Sequence, residues 1–565
     1  MSHTPALASG LAHICCLKSQ TGGGKFGSTL TAMKSSLLLA AFCLALAPFK
    51  LPAATTHYVD ADGTNSVPPY TNWVTAATSI QAANDASTNG DTVLVTNGVY
   101  QTGGKGFQLT TFITSYMVFN RVAVTKAIAV RSVNGPAQTV IIGSLTDPLS
   151  FRYLVDAWAA SVRCAFLTNG ATLDGFTLTN GFSIDTGGGG VSCASTNSMV
   201  TNCIIAGNAS IEEPPEVGSG PGGAFSGTLN NCVLIANHAI ISGGGASASV
   251  LNNCLLTGNF AGGGGGGSGG GAYSCVLNNC TIVNNLASAG AGGVDSCMLN
   301  NCMVGDNTGV WGGGGAYSCV LNGCTIVSNF AYGSSGGVES CTLDNCIVYD
   351  NNREGSDNNY DTAYPSSFNY CCTMPMPTNG VGNITNDPAF VNLTNGDFHL
   401  QATSRCINAG NNSSVVGSTD LDGNPRIMGG TVDMGAYEFQ AQVTGTFSNW
   451  LQKYNLPTDG TADCADSDGT GMVNWQKWIA GLNPTNPASV LVMTSAASTN
   501  KSSGITVSWQ SVTNRIYYLR RANDLATQPA FSVIQSNIVG QAGTTSYTDA
   551  SATNGVPYFY RVGVQ

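Results

Sequence analysis

The side chains best suited to chemistry recur at one fixed spacing. Tyr273, Asp295, Tyr317 and Glu339 each stand two residues before a cysteine and fall at every twenty-second position. If one such interval makes one coil of a solenoid, these four stack into a column of alternating aromatic rings and carboxylates. Tyrosine faces can stack on sugar rings, and a pair of carboxyls can work as general acid and base. Asp295 and Glu339 would then lie two coils, about 9.5 Å, apart. That is the upper end of the roughly 6.5–9.5 Å span of inverting glycosidases. The same column also reads as a plain solvated turn.

A second constellation lies near the C-terminus. Asp466, Asp468, Thr470 and Asn474 supply side-chain oxygens at loop positions 1, 3, 5 and 9, and Met472 a carbonyl at position 7. With Gly471 at the sharp turn, this is the spacing of an EF-hand-type Ca²⁺ loop. Position twelve, where a bidentate acid belongs, is Lys477. That departure removes the strongest ligand and adds a like charge. A Ca²⁺ site, helped by Asp463 or water, and a metal-free helical connector are both open readings. No other cofactor is indicated. The glycine runs lack the Lys-Ser/Thr that completes a phosphate-binding loop.

Chemistry of this kind needs a rigid scaffold, and the repeat supplies one. Cysteines recur at Cys203, Cys232, Cys254, Cys280, Cys302, Cys324 and Cys346, in steps of 29, 22, 26, 22, 22 and 22. A second set, Cys275, Cys297, Cys319 and Cys341, precedes the last four by five residues. Five residues after each of the seven comes an asparagine: Asn208, Asn237, Asn259, Asn285, Asn307, Asn329 and Asn351. Short β-branched stretches such as Thr281-Ile282-Val283 indicate strands, and Asn and Gly punctuate them as turns. A unit this short and so rich in glycine has no room for a helix. The reading is a parallel β-coil, stacked at about 4.8 Å per turn. It could reach about 17 coils and roughly 80 Å. The longer steps are loops inserted at 212–216 and 262–271. In a β-coil the asparagines form a ladder, bonding neighbouring backbone from left-handed positions. Gly181, which fills the same slot in an earlier coil, fits that assignment.

Cysteines stacked at this spacing fall within the 4.4–6.8 Å Cα range of disulfides, yet they also suit a column of small buried thiols. Both readings are open. The pattern has neither the paired spacing nor the histidines of zinc sites. Cys371, Cys372, Cys406 and Cys464 fall outside the two ladders.

Composition narrows the function. The 565 residues include 72 glycines, 43% are hydrophobic and 9% are charged, with a net charge of −11. This excludes charge-rich disorder and collagen, and it argues against a coiled coil and a nucleic-acid binder. Lys34 followed by the apolar run 37–49 has the form of a secretory signal too short to span a bilayer. The expected start is Met33, with cleavage near Ala54. Removing residues 1–54, with four Lys and no acid, would leave a charge near −15 (−11 minus 4). The product is expected to be secreted or held at the cell surface as a monomer, with no membrane span after cleavage.

Three segments resemble a known family. They are TSIQAANDASTNGDTVLVTNGVY at 78–100, VRSVNGP at 130–136, and the stretch 387–440 with DPAF, GDFHLQATSRCINAG and DLDGNPRIMGGTVDMGAYEF. They are similar to secreted bacterial right-handed parallel β-helix proteins of the pectate-lyase-like superfamily, with an ending of the choice-of-anchor Q type. The resemblance implies an all-β right-handed parallel β-helix over 55–440, capped by a short helix near 78–88 through Ile80, Ala83 and Ala86. The loop at 466–474 resembles dockerin and thrombospondin type 3 modules, within a helix-loop-helix connector over 441–488. Residues 489–565 resemble a fibronectin type III-like β-sandwich.

Lyases of this superfamily are expected to abstract a proton with Arg or Lys and to neutralise uronates with cations. From Cys164 to Asn352 there is no Lys or Arg, and the one histidine is His238. Only Arg131, Arg152, Arg163 and Arg353 flank that stretch. The expected role is therefore structural, adhesive or carbohydrate-binding, with an extracellular polysaccharide or cell-surface glycan as partner. The alternative is a polysaccharide-active enzyme using surface carboxylates, a glycoside hydrolase ahead of a uronate lyase.

Overall fold

The computed structural model describes residues 54–565, apart from 111–114, 145–160, 185–186, 212–219, 264–265, 429–430, 441–444, 459–461, 463–464, 498–503, 524–530, 554–556 and 565. The signal-like segment, the 212–216 insertion, Arg152, Asp463 and Cys464 lie outside the described residues.

One coil shows how the repeat folds. Ala272–Tyr273, Val276–Asn278, Thr281–Val283 and Leu286–Ala287 are strands. Each pairs in parallel with its counterpart in the next coil, as in Val276↔Met298 and Thr281↔Met303. The four strand positions build sheets of ten, twelve, eleven and nine strands. Eight successive coils, from Val162–Leu167 to Asn352–Arg353, place a strand in all four. The protein is thus mainly a parallel β-solenoid. Its longest sheet, twelve strands, corresponds to about 53 Å at about 4.8 Å per step. This is shorter than 17 coils. Outside the eight coils the chain also forms a hairpin, Lys105–Thr110 with Ser115–Val124, and a lateral segment after Asp387.

The inside is a stack of like residues. Leu277, Leu299, Leu321 and Leu343 form one fully buried column, and Ile282, Val304, Ile326 and Val348 another. The turns between strands carry left-handed residues at Ser274, Asn279 and Asn284, each directly before Cys275, Cys280 and Asn285. The left-handed position is therefore one residue earlier than the asparagine ladder, correcting the sequence reading. Gly181 fills the ladder slot for another reason. A Cβ there would lie 2.0 Å from the Gly189 carbonyl.

The asparagine ladder is buried and continuous. The Asn307 backbone N–H and Nδ2 both donate to Asn329 Oδ1, each at 3.0 Å, and Nδ2 also donates to the Ile282 carbonyl at 2.9 Å. In turn, Asn307 Oδ1 accepts from the backbone and side chain of Asn285. The pattern runs from Asn208 to Asn359. The cysteines stack in the same manner. The Cys280 N–H donates to Cys302 Sγ at 3.4 Å, and the Cys297 N–H to Cys319 Sγ at 3.3 Å. All described cysteines are buried and unbridged. Burial pushes the thiols of Cys164, Cys193 and Cys203 up to about 12, so they are poor nucleophiles. Cys371 extends the first ladder, accepting from the Cys346 N–H, while Cys372 and Cys406 join a second core.

A helix closes the first coils, and a later segment covers one sheet from outside. Helix α1, Ile80–Ala86, is capped by Ser79 and buries Ile80 and Ala83 against the first coils, with Ala86 half-buried. Gln81 exchanges hydrogen bonds with the Ala123 backbone, satisfying groups a bare solenoid end would orphan. The segment 387–440 lies against the outside of the eleven-stranded sheet. Phe390, Phe398, Leu400, Cys406 and Met434 pack there on Met303, Val327 and Ile347. Arg426 fastens it, donating from Nε to Asn301 Oδ1 at 2.9 Å and from Nη1 to Glu438 Oε2 at 2.9 Å.

Helices α2, Gly445–Lys453, and α3, Asn474–Ala480, follow. The chain ends in two three-stranded antiparallel sheets, with Val507, Trp509, Tyr517 and Leu519 buried between them. Among the described residues no helix is long and apolar enough to cross a membrane.

Candidate functional site

Tyr273, Asp295, Tyr317 and Glu339 occupy consecutive rungs of the ten-stranded sheet, paired Tyr273↔Asp295, Asp295↔Tyr317 and Tyr317↔Glu339. They are not a solvated column. Asp295 and Glu339 are each only 5% exposed. Neighbouring serines cover them: Ser296 Oγ donates to Asp295 Oδ1 at 2.8 Å, Ser268 also bonds Asp295, and Ser334 Oγ donates to Glu339 Oε2. Burial pushes both carboxyls above their usual range, only partly offset by those hydroxyls. For Glu339 the charge of Asp361 adds to the rise.

Two of the four residues line an open groove of about 390 Å³. Tyr317 and Glu339 form it together with Ser268, Gly290, Trp311 and Tyr364. Trp311 is 72% exposed and Tyr364 60% exposed. Gly290 keeps one wall open, since a Cβ there would meet Ser268 Oγ at 2.0 Å and Asp295 Oδ2 at 2.9 Å. Asp295 thus borders the groove from behind Gly290, while Tyr273 lies a rung further back. Burial raises the Tyr317 hydroxyl pKa, with the charges of Glu339 and Asp295 and the hydroxyl of Tyr364 adding to it.

Trp311 and Tyr364 are absent from the sequence reading of the site. Trp311 had a signal: it is the single tryptophan between Cys164 and Asn352, set in a glycine-rich return. Tyr364 had none, because it reaches the groove from a loop beyond the last regular coil.

Of the described flanking arginines, Arg163 and Arg131 are paired within the fold. Arg163 is 3% exposed and donates to the Gly187 and Gly188 carbonyls and to Asn120. Arg131 pairs with Asp174 at 3.0 Å. Arg353 sits half-buried in the last strand of the nine-stranded stack's parallel run.

In the C-terminal loop, Asp466 accepts from the Thr470 and Gly471 N–H groups at 3.1 and 2.7 Å. Thr470 Oγ1 donates to Asp468 Oδ1 at 2.8 Å. The other Asp468 oxygen is bound by the ammonium of Lys477. Both side chains are buried, 0% and 2% exposed. Burial alone would raise the Asp468 carboxyl, but Lys477 and Thr470 hold it below its usual range. Asn474 donates to the Ala462 carbonyl and to Ser467, and its Oδ1 has no partner. The oxygens of this loop do not fit a Ca²⁺ ion while Lys477 holds Asp468, because two cations would share one carboxylate.

The fold and groove define a parallel β-solenoid with an open aromatic groove beside a buried carboxyl. No family model matches the chain, and no curated protein matches it. Among solved structures it is similar to the pectate lyase Pel9A, at 17% identity, covering 68% of this chain and 96% of that one, with a TM-score of 0.42. It is also similar to a rhamnogalacturonan lyase, at 13% identity, 60% and 92% coverage and a TM-score of 0.37. A third is XylC in complex with xylose, at 9% identity, 68% and 98% coverage and a TM-score of 0.35.

Proposed function

We propose that this β-solenoid binds a polysaccharide in the groove walled by Trp311, Tyr317 and Tyr364. Trp311 carries the reading. An indole left 72% exposed beside a buried carboxylate forgoes burial worth about 2 kcal/mol. A sugar ring stacked on it would recover much of that. Trp311→Ala is expected to weaken polysaccharide binding about tenfold, or about 1.4 kcal/mol, with stability changed by less than about 0.5 kcal/mol. Affinity electrophoresis through gels containing each of a panel of polysaccharides measures the first, and thermal melting the second. Equal retardation of wild type and variant by every retarding polysaccharide would remove the groove from the reading.

Hydrolysis is the second reading, favoured by two buried carboxyls with raised pKa on one face. An acid–base pair, however, needs environments that push its members apart, and here burial pushes both in the same direction. Reducing-sugar release that disappears in Glu339→Gln would establish hydrolysis; retention in the gel without release supports binding.

The site of action we propose is outside the cell, on the strength of the apolar run at 37–49. N-terminal sequencing of the exported protein is expected to begin at Thr55; a mature chain retaining residues 37–49 would overturn it.

A further inference from the structure

We infer that the groove selects amino-bearing, cationic sugars over neutral sugars and uronates, an inference that rests on the carbohydrate reading above. Three aromatic residues and Glu339 line one space. Aromatic faces are the negative ends of ring quadrupoles and attract ammonium groups within about 6 Å. Glu339 contributes a carboxylate that is only 5% exposed and accepts from Ser334. Asp295 stands behind Gly290, and Asp361 is near enough to perturb Glu339. Cations are scarce nearby in sequence: residues 164–361 hold thirteen Asp or Glu against one basic residue, Arg353. A uronate carboxylate would meet like charge here and find no cation among the lining residues. A protonated amino group would meet an acid and ring faces together.

The test compares glucosamine oligomers, their fully N-acetylated counterparts and oligogalacturonates by calorimetry across a pH series from about 5 to about 8, so that a charged amine and an ionised carboxyl coincide within it. The glucosamine oligomer is expected to bind at least about tenfold more tightly than the acetylated one, with no binding of the uronate. Glu339→Gln should abolish that preference, with an unchanged melting temperature showing that the fold persists. Equal or tighter binding of the acetylated oligomer or the uronate overturns the inference and leaves the carbohydrate reading standing. A preference that survives in Glu339→Gln would come from net charge, and also overturns it. Failure of all three, and of every polysaccharide in the gel panel, would instead remove the carbohydrate reading.

A separate observation carries a second proposal. We propose that Lys477 replaces Ca²⁺ in the charge balance of the 466–477 loop, making this connector metal-independent. Its ammonium is fully buried, bonds Asp468 and donates to the Ser489 carbonyl at 3.3 Å. In the full chain, Ca²⁺ is expected to produce no binding heat and no melting shift. Lys477→Glu, which restores an acid at position twelve, should bind Ca²⁺ and melt higher with it than without. Lys477→Met, with neither ammonium nor acid, should melt lower and gain little from Ca²⁺. Ca²⁺ binding by the wild type, or no gain in Lys477→Glu, overturns the proposal.

Discussion

Replacing Asn307 by leucine is expected to lower stability by at least about 3 kcal/mol, as three buried polar groups lose their partners at about 1–3 kcal/mol each. Leucine fits the volume but offers no polar atoms. The Asn285 N–H and one Asn285 Nδ2–H lose their acceptor, and the Ile282 carbonyl loses a donor. Asn307 is 0% exposed, so water cannot replace them. A contrast comes from the outer ladder, where Asn278 Oδ1 accepts from Asn300 and Asn278 Nδ2 donates to Asn252, half-exposed. Asn278→Leu should cost less than about 1 kcal/mol, since water satisfies what is lost. Urea denaturation measures both. The double variant Asn285→Leu, Asn307→Leu should cost less than the sum, because the two residues share bonds. Strict additivity would mean that the ladder does not act as a continuous chain.

The ladder also shows what is legible in the sequence. A constant period, with Cys and Asn at fixed offsets, dictates the stacking, and in-register pairing follows from it. The left-handed position lies one residue away from where composition places it, because Asn occurs both at the corner, as at Asn279, and in the ladder, as at Asn285. Composition cannot separate two adjacent slots that favour the same residue. The column of Tyr273, Asp295, Tyr317 and Glu339 is legible because it shares the period. Its burial is not, because that depends on Ser268 and Ser334 in glycine-rich returns whose path the period does not set. Tyr364 breaks the period altogether and is invisible for that reason. The lateral packing of 387–440 depends on contacts such as Arg426 with Asn301, which are 125 residues apart.

That lateral packing leads to the second large effect. At pH 9, where Glu438 is ionised, Arg426→Met is expected to cost about 3–5 kcal/mol, as removal of one partner strands a buried charge. Arg426 is 2% exposed, and besides Asn301 and Glu438 it donates to the Gly435 carbonyl at 2.6 Å. Glu438, itself 2% exposed, also accepts from the Met428 and Asp433 N–H groups. Burial and the nearby Asp433 charge push its carboxyl up to about 8, and burial pushes Asp433 up to about 6. A carboxyl whose pKa is raised on folding stabilises the fold fully below its unfolded value. That contribution is lost as pH rises through the folded value. The lateral segment should therefore hold more firmly at pH 5 than at pH 9. The Arg426→Met defect should grow over the same range, because ionised Glu438 is then left without its cation. Adding Glu438→Gln to Arg426→Met should recover much of the loss and flatten its pH dependence. Hydrogen exchange over residues 387–440 reads this locally, even if the coils stay folded. Unchanged protection in Arg426→Met would show that the apolar contacts of Phe390, Phe398 and Met434 hold the segment without the ion pair.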